Sequence, residues 1–240
     1  MRGLKSKKAF TLAEVLITLG IIGVVAALTL PTLIANYQKT QTLTSLKKNY
    51  TILAQGIEFA QANYGTDLQG WTCADCPFPQ YYNNQFSINV PNLFNVLSES
   101  IAFAKVVNIG NIGQYSGIGF CDLPEGQKYK TMGGSDLSIG AGGYWSSGWA
   151  QLKDGSCWFI GGTKNSNTSD EMVRVTVDTN GNKNPNKMGR DVFVFVIHRN
   201  GQITGVSGNS CNGHWSNGGE ACAQRIIEAG WQIKPDYPWK

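Results

Sequence analysis

An uncharged run near the start of the chain limits what it can fold into more than any other feature. From Val15 to Ala35 the sequence VLITLGIIGVVAALTLPTLIA has threonine as its only polar side chain. As a helix this stretch reaches roughly 30 Å, the thickness of a bilayer's hydrocarbon core. Arg2, Lys5, Lys7 and Lys8 precede it, the next basic residue is Lys39, and Glu14 is the lone charge between. Basic residues on one flank hold that end in the cytoplasm, so a single pass with the rest of the chain outside the cytoplasm is expected. A cleaved secretory signal or a plain anchor needs only a basic arm and an apolar run. Glu14 separates this segment from both, because a carboxylate beside hydrocarbon is costly and is by default a functional group.

The basic arm also accounts for the net charge of +4. Without its four cations, 16 basic residues face 16 acidic ones, which leaves no cationic footprint for a nucleic-acid backbone. The 240 residues are 42% hydrophobic, too apolar for a disordered chain, and the 29 glycines follow no Gly-X-Y period. Many turns between short strands are expected instead.

Lys7-Lys8-Ala9-Phe10-Thr11-Leu12-Ala13-Glu14-Val15 resembles the processing site of type IV prepilins and of the pseudopilins of type II secretion. The resemblance covers about residues 7 to 64. It implies cleavage between Ala9 and Phe10 by a membrane-embedded prepilin peptidase, methylation of the new amine on Phe10, and a need for Glu14 in assembly. Ala9 stands where the family usually has glycine; a small side chain is retained. Pro31 falls where many members carry a helix-distorting proline, and Gly20 and Gly23 lie in the stretch that loosens in filaments. The implied protein is a structural subunit of a type IV pilus or a type II secretion pseudopilus. It is held in the inner membrane, handled by an assembly platform, and packed with identical or related subunits in a helical filament. The alternative is a low-copy minor pilin acting as a binding, adhesion or DNA-uptake module at the tip. Trp145, Trp149, Trp158 and Trp215 would then be candidate contacts, against their reading as core aromatics. No nucleophile elbow, phosphate loop or HExxH pattern points to an enzyme.

Beyond the apolar run, Leu43, Leu46, Tyr50, Leu53, Ile57, Ala60 and Tyr64 recur at spacings of three and four. They form one stripe on a helix whose other faces carry Gln41, Ser45, Lys47, Lys48, Gln55 and Gln61. Three heptads without complementary charges make a poor coiled coil, so the stripe is expected to pack on the protein's own sheet. A helix from Phe10 to Tyr64 would be roughly 80 Å long, weakened at Pro31, Gly20 and Gly23 and capped by Gly65. The expected organisation is a leader over 1–9, a helix over 10–64 with about 15–35 in the membrane, and a globular domain over 65–240. Within that domain residues 91–103 read as a helix. Strands pair as hairpins around Asp154-Gly155 and Asn200-Gly201, with a further strand over 172–177 and a final helix over 221–229 ending at Gly230. The fold class is α+β, and the pilin-like topology of a long helix packed on an antiparallel sheet comes from the resemblance.

Six cysteines, at 73, 76, 121, 157, 211 and 222, all follow the membrane run, where disulfides are the expected state. Cys211 with Cys222 resembles the C-terminal disulfide loop of many pilins; the partners of Cys73, Cys76, Cys121 and Cys157 stay open. Cys73-Ala-Asp-Cys76 has the spacing of a redox motif, but Trp71 and the Pro77-Phe78-Pro79 run point to a loop rather than the helix start such chemistry needs. His198 and His214 are isolated, with no second CxxC to complete a zinc site. Asp178-Thr-Asn180-Gly-Asn182 opens like a calcium loop, with Asp191 as a late carboxylate. Lys183 and Gly189 depart from that pattern, and the competing reading is a strand connection stitched by Asx turns. No other cofactor is expected.

Overall fold

The computed structural model describes residues 11–66, 68, 96–108, 120–124, 126–137, 145–162, 171–208, 210–212 and 218–239. The chain divides into two compact units, Met1–Gln41 and Thr42–Lys240. Helix α1, Leu12–Tyr64, contributes its first part to one unit and its second part to the other. Gly65 ends it at φ 94°, donating its N–H to Gln61 O at 3.0 Å, a left-handed conformation that costs glycine little.

In the larger unit, six strands among the described residues form one antiparallel sheet in sequence order: β1 Phe103–Asn108, β2 Trp145–Leu152, β3 Cys157–Gly162, β4 Glu171–Asp178, β5 Val192–His198 and β6 Ile203–Gly205. A short helix α2, Cys222–Glu228, follows. The hairpins expected at Asp154-Gly155 and Asn200-Gly201 are present, with Gly155 at φ 90° and Gly201 at φ 83°. One expectation is corrected. Phe103 opens β1 instead of closing a helix, and of the described residues between 91 and 102 only 96–100 are helical. Lys105, Val106 and Val107 continue an extended pairing with β2 that the helical spacing of Leu97 and Ile101 had concealed.

Side-chain alternation builds two layers of core. Trp158, Ile160, Val173, Val175, Val177, Phe193, Phe195 and Ile197 turn to one face, where Leu46, Leu53, Ile57 and Ala60 of α1 cover them with Leu97 and Ile226. That is the stripe read from the sequence, with Leu43 and Tyr50 half-buried at its margin. Gly56 lets the neighbouring segment come close: a Cβ there would lie 2.7 Å from Ile101 Cδ1. The opposite face is also dry. Val192, Val194 and Val196 pack with Leu123, Tyr129, Met188 and Val206, while Trp149 and Phe159 pack with Cys121 and Cys157. A strand covered on both sides has no polar face to show, hence the unbroken Val-Phe-Val-Phe-Val-Ile of β5. A disulfide between Cys121 and Cys157, Cα atoms 5.9 Å apart, fastens the outer covering segment to β3.

Asn49 is the exception within the apolar stripe. Fully buried, it accepts at Oδ1 from Trp158 Nε1 at 2.5 Å and from Ser156 Oγ at 3.1 Å, and donates from Nδ2 to Ser45 O at 2.8 Å. Ser45 in turn donates its hydroxyl to Thr179 O at 2.8 Å, so two polar contacts on one helix face tie α1 to the sheet and to the β4–β5 loop.

Candidate functional site

Ala9 and Phe10 lie outside the described residues, which begin at Thr11. Thr11 caps α1, and its contacts with Glu14 are reciprocal. Thr11 N and Oγ1 each donate to Glu14 Oε2 at 2.9 Å, while Thr11 Oγ1 accepts from Glu14 N at 3.2 Å. This is a capping box, in which a hydroxyl and a carboxylate three residues apart satisfy each other's backbone donors at a helix start. The Thr-x-x-Glu spacing is the sequence signal of this cap. Glu14 is exposed, four residues along the chain from Phe10.

The helix beyond it runs uninterrupted through Gly20, Gly23 and Pro31. Its large apolar side chains are bare: Leu16, Leu19, Ile21, Ile22, Val24 and Leu28 are all more than half exposed. No Cβ contact would arise at Gly20 or Gly23, so neither glycine is required by packing within the chain. The apolar window averages a hydropathy of 2.3 with none of it buried, which makes α1 long and apolar enough to cross a membrane.

The β4–β5 loop brings together some of the residues considered for a cation. Asp178 and Asp191 are both buried, and Asn180 joins them, its N–H on Asp178 Oδ1 at 3.1 Å and its Nδ2 on Asp191 Oδ2 at 3.2 Å. Tyr129 donates to Asp178 Oδ2 at 2.8 Å, and the N–H groups of Asn186 and Lys187 hold Asp191 at 2.8 and 2.7 Å. Asn182 turns elsewhere, toward Asp122 O at 3.4 Å. All four carboxylate oxygens therefore accept from hydrogen-bond donors, and the four residues do not converge on one point. Burial, followed by the neighbouring Asp191, pushes the Asp178 carboxyl up to about 8, and burial raises Asp191 as well.

Elsewhere Cys211 and Cys222 are bonded, Cα atoms 4.8 Å apart, at the start of α2. His198 Nε2 meets Thr204 Oγ1 at 2.8 Å. Trp149 and Trp158 are buried and present no contact surface. Trp215, His214, Cys73 and Cys76, and the side chain of Trp145, lie outside the described residues.

Residues 4–30 match the family model of the prokaryotic N-terminal methylation motif. The chain carries a prepilin-type cleavage and methylation segment. The apolar helix behind this segment and the antiparallel sheet make an α+β arrangement consistent with a pilin-like fold. The motif implies processing by a prepilin peptidase and pilin assembly. It covers none of the larger unit, and no curated protein and no solved structure matches the chain.

Proposed function

We propose that the chain is a structural subunit of a type IV pilus or type II secretion pseudopilus. In this reading residues 1–9 are removed at the Ala9-Phe10 junction, Phe10 is methylated, and the subunit waits in the inner membrane before entering a filament through α1. The observation that carries the reading is the methylation motif leading directly into a helix whose apolar side chains are exposed among the described residues. Such a helix needs lipid before assembly and neighbouring helices after it. Cleavage creates a cationic amine on Phe10, and in an apolar filament core that amine needs a carboxylate. Glu14 supplies one, held ready by Thr11. The intact mass of the membrane-extracted protein tests the processing: the expected species begins at methylated Phe10, and an N-terminus beyond the apolar run would overturn the assignment.

A further inference from the structure

An open sheet ends in two edges, and here the two are unlike. At β6, α2 lies across the edge: Gly205 N donates to Gln224 Oε1 at 2.8 Å, and the backbone of Gln224 occupies the space a Cβ at Gly205 would need. At the other end β1 pairs with β2 alone among the described residues. Ala104, Lys105 and Val106 are exposed there, and residues 105–108 keep a regular register past a shift at Ala104. Irregular register and lysines commonly guard such an edge against pairing. Lys105 is drawn away from that duty. Both Asp122 carboxylate oxygens hold its ammonium, at 2.8 and 2.7 Å, and it lies over the Trp149 ring on the face opposite α1. Val106 pairs with Ala150 and so turns to the α1 face, where it is 43% exposed.

A groove of about 480 Å³ adjoins the start of this edge. Ser100, Ile101 and Ala102, the residues just before β1, form one wall, and Ile52, Gly56 and Phe59 of α1 form the other. The groove ends at the β2–β3 turn, where Lys48 takes Asp154 at 2.9 Å and exposed Lys153 has no counter-charge among the described residues. A strand laid along β1 thus finds main-chain partners along its length, an apolar pocket at one end and a lone ammonium beside that pocket. Strand addition of this kind draws affinity from backbone hydrogen bonds and selectivity from side-chain pockets. We propose that β1 is the acceptor edge for an extended segment of a different protein, apolar where it meets the groove and bearing a carboxylate there for Lys153. A second copy does not answer that description. Its β1, Phe-Ala-Lys-Val-Val-Asn, brings a lysine and no acid, and its β6 is closed by α2. All of these groups belong to the larger unit, and none depends on what becomes of the apolar helix.

The test uses the full chain in phosphatidylcholine nanodiscs and two synthetic peptides of alternating valine and threonine, blocked at both termini. One carries glutamate at each end and the other lysine. Hydrogen exchange of the amides over 103–108 is followed by mass spectrometry. The glutamate peptide should slow that exchange several-fold and the lysine peptide little, and Lys153→Glu, at an exposed position, should reverse the order. Slowing by neither peptide would overturn the acceptor edge. Equal slowing by both, or an order unchanged in Lys153→Glu, would overturn the pairing with Lys153. Protection of every amide over 103–108 before any peptide is added would also overturn the proposal. If that protection is independent of protein concentration, the chain covers its own edge; if it grows with concentration, a second copy does.

Discussion

Replacing Asn49 with alanine tests what fixes the helix of the larger unit on its sheet. Asn49 Oδ1 is the acceptor for the indole N–H of Trp158, and both residues are fully buried. Ser156 keeps a second acceptor when Asn49 is lost, because its hydroxyl also reaches Asp154 Oδ1 at 2.6 Å. The indole has no such recourse. An orphaned buried donor costs about 1–3 kcal/mol, and the vacated amide volume adds about 1 kcal/mol. The better helix propensity of alanine returns roughly 0.5 kcal/mol. The net expectation is a loss of about 2–3 kcal/mol, a shift that should leave a domain of ordinary stability folded. Urea unfolding of the full chain in detergent, followed by tryptophan fluorescence, measures it. In a Trp158→Phe background no N–H is left to orphan, and Asn49→Ala should then cost less than about 1 kcal/mol. An equal cost in both backgrounds would show that Asn49 acts by filling space and would refute the argument.

A Cβ at Gly205 would lie 2.6 Å from the Cα of Gln224, backbone that cannot rotate aside, so Gly205→Ala should destabilise by about 1–3 kcal/mol in the same urea assay. Gly56→Ala meets only the ends of Ile101 and Leu97 and should cost less. Asp178, raised to about 8 in the folded protein, favours folding fully only below its unfolded value near 3.8, so its contribution is lost as pH rises from about 4 through 8. The melting temperature should accordingly fall between pH 5 and pH 8.5, and Asp178→Asn should flatten that dependence. Peptide mapping without reductant should recover Cys211 linked to Cys222, and Cys222→Ser should destabilise by about 2–4 kcal/mol. Glu14→Ala should be cleaved and membrane-bound yet scarce in sheared filaments when it is the sole copy of the subunit; incorporation at wild-type level would refute its pairing with the Phe10 amine.

The parts of the fold legible in the sequence were those set by local chemistry. Asp154-Gly155 and Asn200-Gly201 announced their hairpins because a tight turn there needs a positive φ, and the spacing from Leu46 to Ala60 announced the buried face of α1. Strand β1 was hidden by the helical spacing that ends at Ile101, and extended pairing with β2 decides it. The second covered face of the sheet was hidden as well. Leu123, Tyr129 and Leu137 are too sparse to read as an element, and they cover β5 only because the chain crosses behind it. Asn49 resisted for the opposite reason, since a lone polar residue beside a stripe looks like solvent-facing filler until its indole partner is known. At the N-terminus the lone charge and the prepilin resemblance mark the Glu14 segment, and the Thr11 hydroxyl that holds the carboxylate is legible as a Thr-x-x-Glu spacing.

A sheet laid down strand by strand in sequence order has a consequence for the timing of folding. Each hairpin from β2 to β6 closes over a short stretch of chain, so this part of the sheet can grow as the polypeptide emerges, with little loop-closure entropy at each step. Its central covering layer is different. Leu46, Leu53 and Ile57 are synthesised first, yet the strands that bury them come a hundred residues or more later. The earliest piece of the domain to be made is therefore the last to be enclosed, and an apolar helix face stays open until β5 arrives. During that interval the unfinished chain offers two sticky helical surfaces instead of one, and its most exposed moment precedes completion of the sheet.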